Sequence, residues 1–414
     1  MYRSRVRYPD DPGMHNVGGF QDGDKYTKVS YKENPSLLDR ISQTFAGGLL
    51  GLGIFVVSFF ILFANEGRAV QTATALEECL SLVIPVENSN MIYQENNNKL
   101  IHITGYLRTD QALKDGMTGV EIQAVKLRRE VEMYQWVEHK RTREIKENKQ
   151  TKIETDFMYT KEWKNNLISS DLFDNPHRHQ NQREFPIKPT TYVAVHTYVG
   201  SYYLKEGLKA KIEEFISYTP KTNPPDPNIK YVDGRFYTGM PRTPQVGDAR
   251  ITYSYAGLSG PQTYHLGPPN IVSIIAKQSG SQLTKYQTQS EMAIELLHYG
   301  EKTADEMVQD EVDANTALTW LLRAGGWFMM FMGLYLMTNI INRLVSWIPL
   351  VRTLVSFGLT VFNLTVSFTL SLITISLGWF YYRPLMAIAL IAVALTPSII
   401  TYIRGQRKSE DNRV

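Results

Sequence analysis

Few short motifs in this chain could support chemistry. Ala256-Gly257-Leu258-Ser259-Gly260 is one residue off the spacing of a nucleophile elbow, and no partner histidine for Ser259 is obvious. We therefore interpret this segment as a glycine-rich turn between strands. The sequence shows no phosphate-binding P-loop, no dinucleotide-binding glycine motif and no HExxH zinc motif. It predicts no catalytic residue and no cofactor.

The nearest approach to a metal site is a polar loop that contains His177 and His179. Asp171 and Asp174 lie close to them in the sequence. A metal site needs three or more convergent ligands on a rigid frame, and a loose loop does not supply one. The sequence therefore predicts an exposed loop and no bound metal.

Basic residues occur in two runs, 126–129 and 140–143, in a stretch that also contains glutamate. Such runs are typical of solvated strand edges. The net charge of +3 is too small to favour a nucleic-acid partner. Cys79 is the one cysteine, so the chain cannot form an intrachain disulfide.

Apolar residues are concentrated towards the two ends of the chain. Residues 45–64 carry no charge and are long enough to cross about 30 Å of hydrocarbon as a helix. They begin too far from residue 1 for an ordinary signal peptide, which favours a retained signal anchor. Further spans are predicted at residues 323–341, 354–379 and 385–403.

Two features of these spans could bring helices together. Gly47 and Gly51 form a small-xxx-small pair in the first span. Asn363 and Thr365 belong to a series of polar and hydroxyl side chains in the third span. A hydroxyl group can bond to the preceding helical turn, so helix packing is the leading interpretation, and a pore lining is the alternative.

The distribution of positive charge predicts the orientation. Basic residues cluster in the C-terminal tail, in the loop after the second span and before the first span. The positive-inside rule then places both termini in the cytosol and the large middle domain in a lumen. That domain has no Asn-x-Ser/Thr sequon, which is consistent with the endoplasmic reticulum or nuclear envelope.

The middle domain has the patterns of an α+β fold rich in strands. Alternating apolar residues predict strands at 100–107, 124–146, 152–163, 191–199, 229–237, 249–256 and 271–277. Apolar residues at helical spacing predict helices at 65–80, 204–218 and 301–320. Residues 165–189 read as a loop.

The sequence as a whole predicts a multi-pass α-helical membrane protein with four spans and a large soluble domain between spans one and two. The predicted parts are a disordered cytosolic tail (1–44), the first span (45–64), a lumenal α+β domain (65–322), the second span (323–341), a short cytosolic loop (342–353), the third span (354–379), a tight lumenal turn (380–384), the fourth span (385–403) and a basic cytosolic tail (404–414).

Several of these segments, in this order, resemble one known family. They are Asn65-Glu66-Gly67-Arg68 after the first span, the block 124–138 with Arg128, Arg129, Tyr134 and Trp136, the turn with Gly257 and Gly260, and Arg383-Pro384 after the third span. Together they are similar to the transmembrane protein 43 family, also called LUMA, over about residues 36–403. The block 124–138 is the specific part of the match.

This resemblance implies residence in the endoplasmic reticulum and the inner nuclear membrane, self-association, and binding to emerin and lamins. The family has no established catalytic residues. The leading hypothesis is therefore a non-enzymatic organiser of the nuclear envelope. The alternatives are an ion channel or a modulator of gap-junction currents, and a membrane-bound enzyme acting on lipid.

Overall fold

The computed structural model describes residues 25–33, 37–146, 150–260, 266–344, 349–384 and 388. The chain divides into two compact units. The first comprises Met1–Asn34, Pro85–Thr284 and Glu295–Lys302, and the second comprises Pro35–Ile84, Lys285–Ile294 and Thr303–Val414.

The first unit is built mainly from strands. In chain order, the described strands are β1 (Lys25–Glu33), β2 (Ile84–Pro85), β3 (Leu100–Thr109), β4 (Leu113–Lys114), β5 (Glu121–Ile122), β6 (Ala124–Lys146), β7 (Gln150–Lys164), β8 (Thr190–Val193), β9 (Thr197–Val199), β10 (Tyr202–Leu204), β11 (Ile216–Tyr218), β12 (Lys230–Val232), β13 (Arg235–Tyr237), β14 (Ala249–Leu258), β15 (Ile271–Ser279), β16 (Gln282–Thr284), β17 (Tyr286–Gln287), β18 (Ala293–Ile294) and β19 (Leu296–Tyr299). The two short strands β17 and β18 pair with each other and belong to the second unit.

The larger sheet has the order β1-β7-β6-β14-β13-β12, with β11 also paired to β14 and β8 to β6. Its core side chains include Leu127 and Val131 from β6, Phe236 from β13 and Ile251 from β14, each buried almost completely. The long alternating pattern of residues 124–146 produces β6, as predicted. β6 is a central strand, and its first four residues, 124–127, are buried on both faces.

The smaller sheet closes on itself. Antiparallel β3 pairs with both β15 and β9, β9 pairs with β10, and β10 runs parallel to β16, which returns to β15. These pairings close a ring of strands, and β19 adds to its outside through β15. Closing a sheet in this way removes exposed strand edges.

Four helices are described: α1 (Leu37–Leu82), α2 (Glu206–Ala210), α3 (Ala304–Leu344) and α4 (Pro349–Tyr382). Single 3-10 turns lie at Gln94–Asn96 and Ser170–Leu172. Phe45–Leu82, Ala304–Arg343 and Thr353–Tyr382 are long and apolar enough to cross a membrane. They correspond to the first three predicted spans. The fourth, 385–403, lies outside the described residues apart from Ile388.

Three predictions about secondary structure need correction. Residues 204–218 do not form one helix, because only Glu206–Ala210 is helical and Ile216–Tyr218 is a strand. β11 pairs with β14 in the larger sheet, and this tertiary pairing overrides the helical spacing of the apolar residues in the segment. The aromatic residues 380–382, predicted as a turn, continue α4.

The N-terminal tail, predicted to be disordered, contains a strand. β1 pairs antiparallel with β7 along its whole length, from Lys25 opposite Met158 to Glu33 opposite Gln150. β1 therefore belongs to the same sheet as β7, while the side of the membrane on which Lys25–Glu33 lies stays a prediction. Residues 1–24 lie outside the described residues.

Candidate functional site

A polar cluster interrupts the apolar packing of the second unit where α1 and α3 leave their apolar stretches. Glu66 follows the uncharged stretch of α1, and Arg323 precedes that of α3. The Arg323 Nε donates to one Glu66 carboxylate oxygen and the Nη2 to the other, both at 2.7 Å. The Glu66 side chain is 1% exposed. A bidentate pair satisfies both charges where water is scarce.

Arg68 extends the polar cluster through neutral partners. Its guanidinium donates to the Asn315 side-chain oxygen at 2.8 Å, the Thr319 hydroxyl at 3.0 Å and the Asn65 side-chain oxygen at 3.2 Å. The Asn65 amide donates to the Thr319 carbonyl oxygen at 3.1 Å. The Arg68 Nε is buried and has no hydrogen-bond partner in the described part of the chain. The cluster therefore joins α1 to α3 but leaves the charge of Arg68 without a carboxylate.

α4 reaches the same cluster because two glycines allow close approach. A Cβ on Gly67 would lie 2.5 Å from the Tyr382 ring, and one on Gly378 would lie 3.0 Å from the Glu66 side chain. Arg383 and Pro384 follow directly after α4. The family-like residues after the first and third predicted spans thus meet in one place, although they are far apart in sequence.

These three helices enclose a groove of about 330 Å³ beside the polar cluster. Glu66 lines it from α1, Thr319, Trp320 and Arg323 from α3, and Arg383 from the end of α4. The Arg323 guanidinium also lies 4.9 Å from the centre of the Trp320 ring. The groove combines aromatic and cationic groups at the end of an apolar bundle.

Asn363 joins α4 to α3. Its side chain is fully buried, and its amide donates to the Thr338 hydroxyl at 2.7 Å. The hydroxyls of the third span bond mainly to their own helix: Thr369 donates to the carbonyl of Thr365, and Ser371 to that of Phe368. This arrangement supports helix packing for Asn363, while Thr365 is exposed on α4.

Gly51 is used within the chain. A Cβ there would lie 2.7 Å from the Gly333 carbonyl oxygen of α3, while a Cβ on Gly47 meets nothing within 4 Å. The two glycines of the predicted pair therefore have different surroundings. Gly51 packs α1 against α3, and Gly47 stays open to a further contact.

The first unit has its own buried ion pair. Arg129 donates through Nη1 to Asp115 at 2.8 Å, and the Tyr253 hydroxyl donates to the same carboxylate oxygen at 2.6 Å. Arg129 also donates to the Lys188 carbonyl oxygen at 2.9 Å. Burial, and then the hydrogen bond to Asp115, raise the pKa of Tyr253, so its hydroxyl stays protonated as a donor.

Arg129 corrects the interpretation of the first basic run as a solvated strand edge. Arg129 and Lys126 are both buried, since β6 lies between β7 and β8 on one side and β14 on the other. The Lys126 ammonium donates to the Ala210 carbonyl oxygen at 3.0 Å. Arg128 is partly exposed, and its guanidinium lies 3.4 Å from the centre of the Phe215 ring.

The remaining family-like residues stabilise the strands. The Tyr134 ring lies 5.2 Å from the Trp163 ring across β6 and β7. The Trp136 ring meets His179 edge-on at 4.7 Å. Gly257 has φ +71, a left-handed conformation that favours glycine, and Gly260 lies against the Gln123 side chain. Ser259 bonds to Thr109 at 2.7 Å as part of the strand packing.

His179 is not in an exposed loop, contrary to the prediction. It is 1% exposed, and its ring stacks on Tyr159 at a centroid distance of 3.7 Å. Its Nδ1 donates to the Asn175 carbonyl oxygen at 2.9 Å. His177 is exposed, so the structure separates the two histidines that the sequence had grouped.

The sequence names Glu66 as part of a family-like segment but misses its partner. Glu66 is a carboxylate at the end of an apolar span, and a charge at that position usually has a partner in the bundle. Arg323, directly before the apolar stretch of α3, is that partner. Asp115, Thr338 and Asn315 carried no comparable signal.

Comparisons with known proteins match most of the chain. The model of the family Transmembrane protein 43 matches residues 133–384. Transmembrane protein 43 of Homo sapiens is 41% identical over 386 residues, which cover 93% of this chain and 96% of the relative. That of Rattus norvegicus is 42% identical over the same shares.

A more distant relative extends the similarity beyond mammals. The transmembrane protein 43 homolog of Drosophila melanogaster is 29% identical over 375 residues, which cover 88% of this chain and 96% of the relative. No solved structure matches. The resemblance seen in the sequence is confirmed, and the chain belongs to the transmembrane protein 43 family.

Proposed function

We propose that this protein is a non-enzymatic organiser of the endoplasmic reticulum and inner nuclear membrane, which self-associates and holds lamina-linked proteins. The observation that carries this proposal is how the polar residues of the bundle are used. Glu66 is paired with Arg323, and Asn363 with Thr338. These contacts tie α1, α3 and α4 into one membrane-anchored body, as a scaffold requires.

Self-association is supported by the outer surface of α1. Its large apolar side chains Phe45, Leu49, Leu52, Val56 and Phe60 are all exposed, at spacings of three and four residues. Such a stripe lies on one face of a helix. Gly47 lies on the opposite side of the helix, so it is not part of this face. We propose a homo-oligomer joined through this face.

We infer the sides of the membrane on which the domain and the C-terminal tail lie from the number of spans between them. α3, α4 and the predicted fourth span make an odd number of crossings, so the basic C-terminal tail and the domain lie on opposite sides of the membrane. We propose a lumenal domain and a cytosolic or nucleoplasmic C-terminal tail. The partners on the cytosolic or nucleoplasmic side would be emerin and lamins, as the family resemblance implies. We propose no nucleic-acid partner.

Proximity labelling from the C-terminus of the full-length chain tests the scaffold. We expect emerin and lamins to be enriched over a control in which the same labelling enzyme is fused to an unrelated protein of the endoplasmic reticulum membrane at equal abundance. Equal labelling by both fusions would count against the proposal.

Light scattering of the detergent-solubilised protein tests self-association. The double variant Leu49→Gln with Val56→Gln should have a lower oligomer mass than wild type. An unchanged mass would exclude the α1 face as the contact.

A further inference from the structure

We propose that the groove between α1, α3 and α4 binds the phosphodiester headgroup of a membrane phospholipid, with Arg383 as the residue that contacts the phosphate. The groove is the one of about 330 Å³ beside the Glu66–Arg323 pair. This inference is independent of the scaffold role, since a lipid site serves a membrane protein whatever its partners.

The first argument is depth in the bilayer. Arg68 follows the apolar stretch of α1, Arg323 precedes that of α3, and Arg383 follows α4. α1 and α3 are antiparallel in their packing, as Gly51 against Gly333 and Glu66 against Arg323 show. The three arginines therefore share one edge of the hydrocarbon layer. Phospholipid phosphates lie at this level, where Trp and Arg side chains concentrate.

The second argument is charge. Arg323 is neutralised by Glu66, but the other two arginines have no carboxylate among the described residues: Arg68 bonds to neutral groups, and Arg383 has no side-chain partner there. The groove region thus has two guanidinium groups in excess. A cation held beside hydrocarbon without a counter-ion is unfavourable, and an anion at the same depth would relieve that cost.

The third argument is the lining. Beside Arg383, the Asn315 amide has a second N–H besides the one that it donates to the Ala69 carbonyl oxygen, and it can donate this N–H to a phosphate or ester oxygen. Trp379 also lines the groove, one helical turn before Arg383. Trp320, also in the lining, is 64% exposed, so the groove opens towards the surface that faces lipid. Polar groups at the level of Arg383, and Trp379 one turn towards the hydrocarbon, match the headgroup and the first methylenes of a lipid.

The bilayer is the favoured source of the phosphate. A phosphodiester is present there at a far higher local concentration than a free anion, and its acyl chains add apolar contact with Trp379. A free phosphate site would use the same guanidinium chemistry without that apolar contact. The experiment must therefore separate a lipid from inorganic phosphate.

Native mass spectrometry of the full-length protein in detergent provides the test. Phosphatidylcholine is titrated into wild type and Arg383→Gln, and we expect about tenfold weaker retention in the variant, the loss of one charge-assisted contact. Diacylglycerol, which lacks the phosphate, should not be retained by either protein. Arg383→Lys should restore part of the retention.

Arg343→Gln is the matched control, because Arg343 is an exposed arginine at the other end of α3. It should retain the lipid as wild type does, and all variants should keep the thermal stability of wild type. Unchanged retention in Arg383→Gln overturns the proposal, as does an equal loss in Arg343→Gln. Displacement of the lipid by millimolar inorganic phosphate would show a free-anion site instead and also overturn it.

Discussion

At the scale of single residues, the buried ion pair of the first unit shows how a surface-like motif can be structural. Arg129 belongs to a basic run, yet it is buried against Asp115, which is 1% exposed. Tyr253 and the Met117 backbone N–H complete the bonding of that carboxylate. Removing one partner of such a pair leaves an uncompensated charge, which costs more than the pair itself contributes.

We therefore expect Arg129→Met to lower the free energy of unfolding by about 3–5 kcal/mol, the cost of breaking a buried pair. The neighbouring Arg128→Met, which loses a partly exposed contact with Phe215, should cost about 1 kcal/mol. Chemical unfolding of the full chain in detergent, followed by tryptophan fluorescence, measures both. The double variant Asp115→Asn with Arg129→Met should recover part of the stability that Arg129→Met loses. Equal losses of stability in Arg129→Met and Arg128→Met would contradict this account.

His102 gives the first unit a dependence on pH. Burial lowers its pKa below the ordinary value of 6.5, although the hydrogen bond from its Nε2 to the Lys302 carbonyl oxygen at 2.9 Å opposes this shift. The folded state therefore binds fewer protons than the unfolded state below that pH. Stability is fully present above pH 6.5 and is lost as the pH falls through this value.

The expected result is a fall in stability between about pH 7.5 and pH 5, with a shallower slope in His102→Gln. The glutamine keeps a donor for the Lys302 carbonyl oxygen but cannot be protonated. Thermal unfolding of the full chain across this range measures the slope. His177→Gln, at an exposed position, is the control; the prediction fails if both variants follow the wild-type slope.

At the scale of elements, the packing of α1 against α3 depends on backbone contact at glycine. Gly51 and Gly333 face each other, and a Cβ on either would lie within 2.8 Å of the other's carbonyl oxygen. Two backbones cannot yield as a flexible side chain can, so a larger residue must separate the helices. Gly47, one turn away, meets no neighbour.

Gly51→Val should accordingly destabilise the bundle by about 1–3 kcal/mol, as overpacking does, and Gly47→Val should leave its stability unchanged. The thermal melting of the detergent-solubilised protein compares the two. Similar melting temperatures for both variants would show that the contact between Gly51 and Gly333 does not hold the helices together.

At the scale of the whole molecule, the order of β1 and α1 in the chain limits how both can be placed relative to a membrane. β1 precedes α1 in the chain and pairs with β7, which follows α1. A complete crossing of a bilayer by α1 separates the residues before it from those after it. Pairing of β1 with β7 and a complete crossing by α1 therefore exclude each other in a membrane-inserted chain.

A designed disulfide separates these two states. Ser30 lies opposite Ile153, and paired strands hold Cα atoms about 5 Å apart, within disulfide range. In a Cys79→Ser background, Ser30→Cys with Ile153→Cys should cross-link in detergent and fail to do so in sealed microsomes. Ser30→Cys with Asp156→Cys, out of register, is the control. Cross-linking in sealed microsomes would show that α1 does not cross.

The amino-acid sequence alone predicts the three described helices that are long and apolar enough to cross a membrane, and the long strand β6. Crossing hydrocarbon requires an uninterrupted apolar helix, and a half-covered strand requires alternation, so both are encoded in neighbouring residues. It also supported the family assignment, since the matching segments occur in order. The same local reasoning predicted that the hydroxyls of α4 bond to their own helix.

Which distant residues meet depends on how the chain packs. Glu66 and Arg323 are 257 positions apart, and the choice of one partner among many charges is made by packing, which no local pattern records. The same holds for Arg129 with Asp115, whose burial depends on the strands placed on both sides of β6. β1 was read as disorder because a two-sided polar strand has no apolar alternation, and its conformation is fixed by the edge of β7.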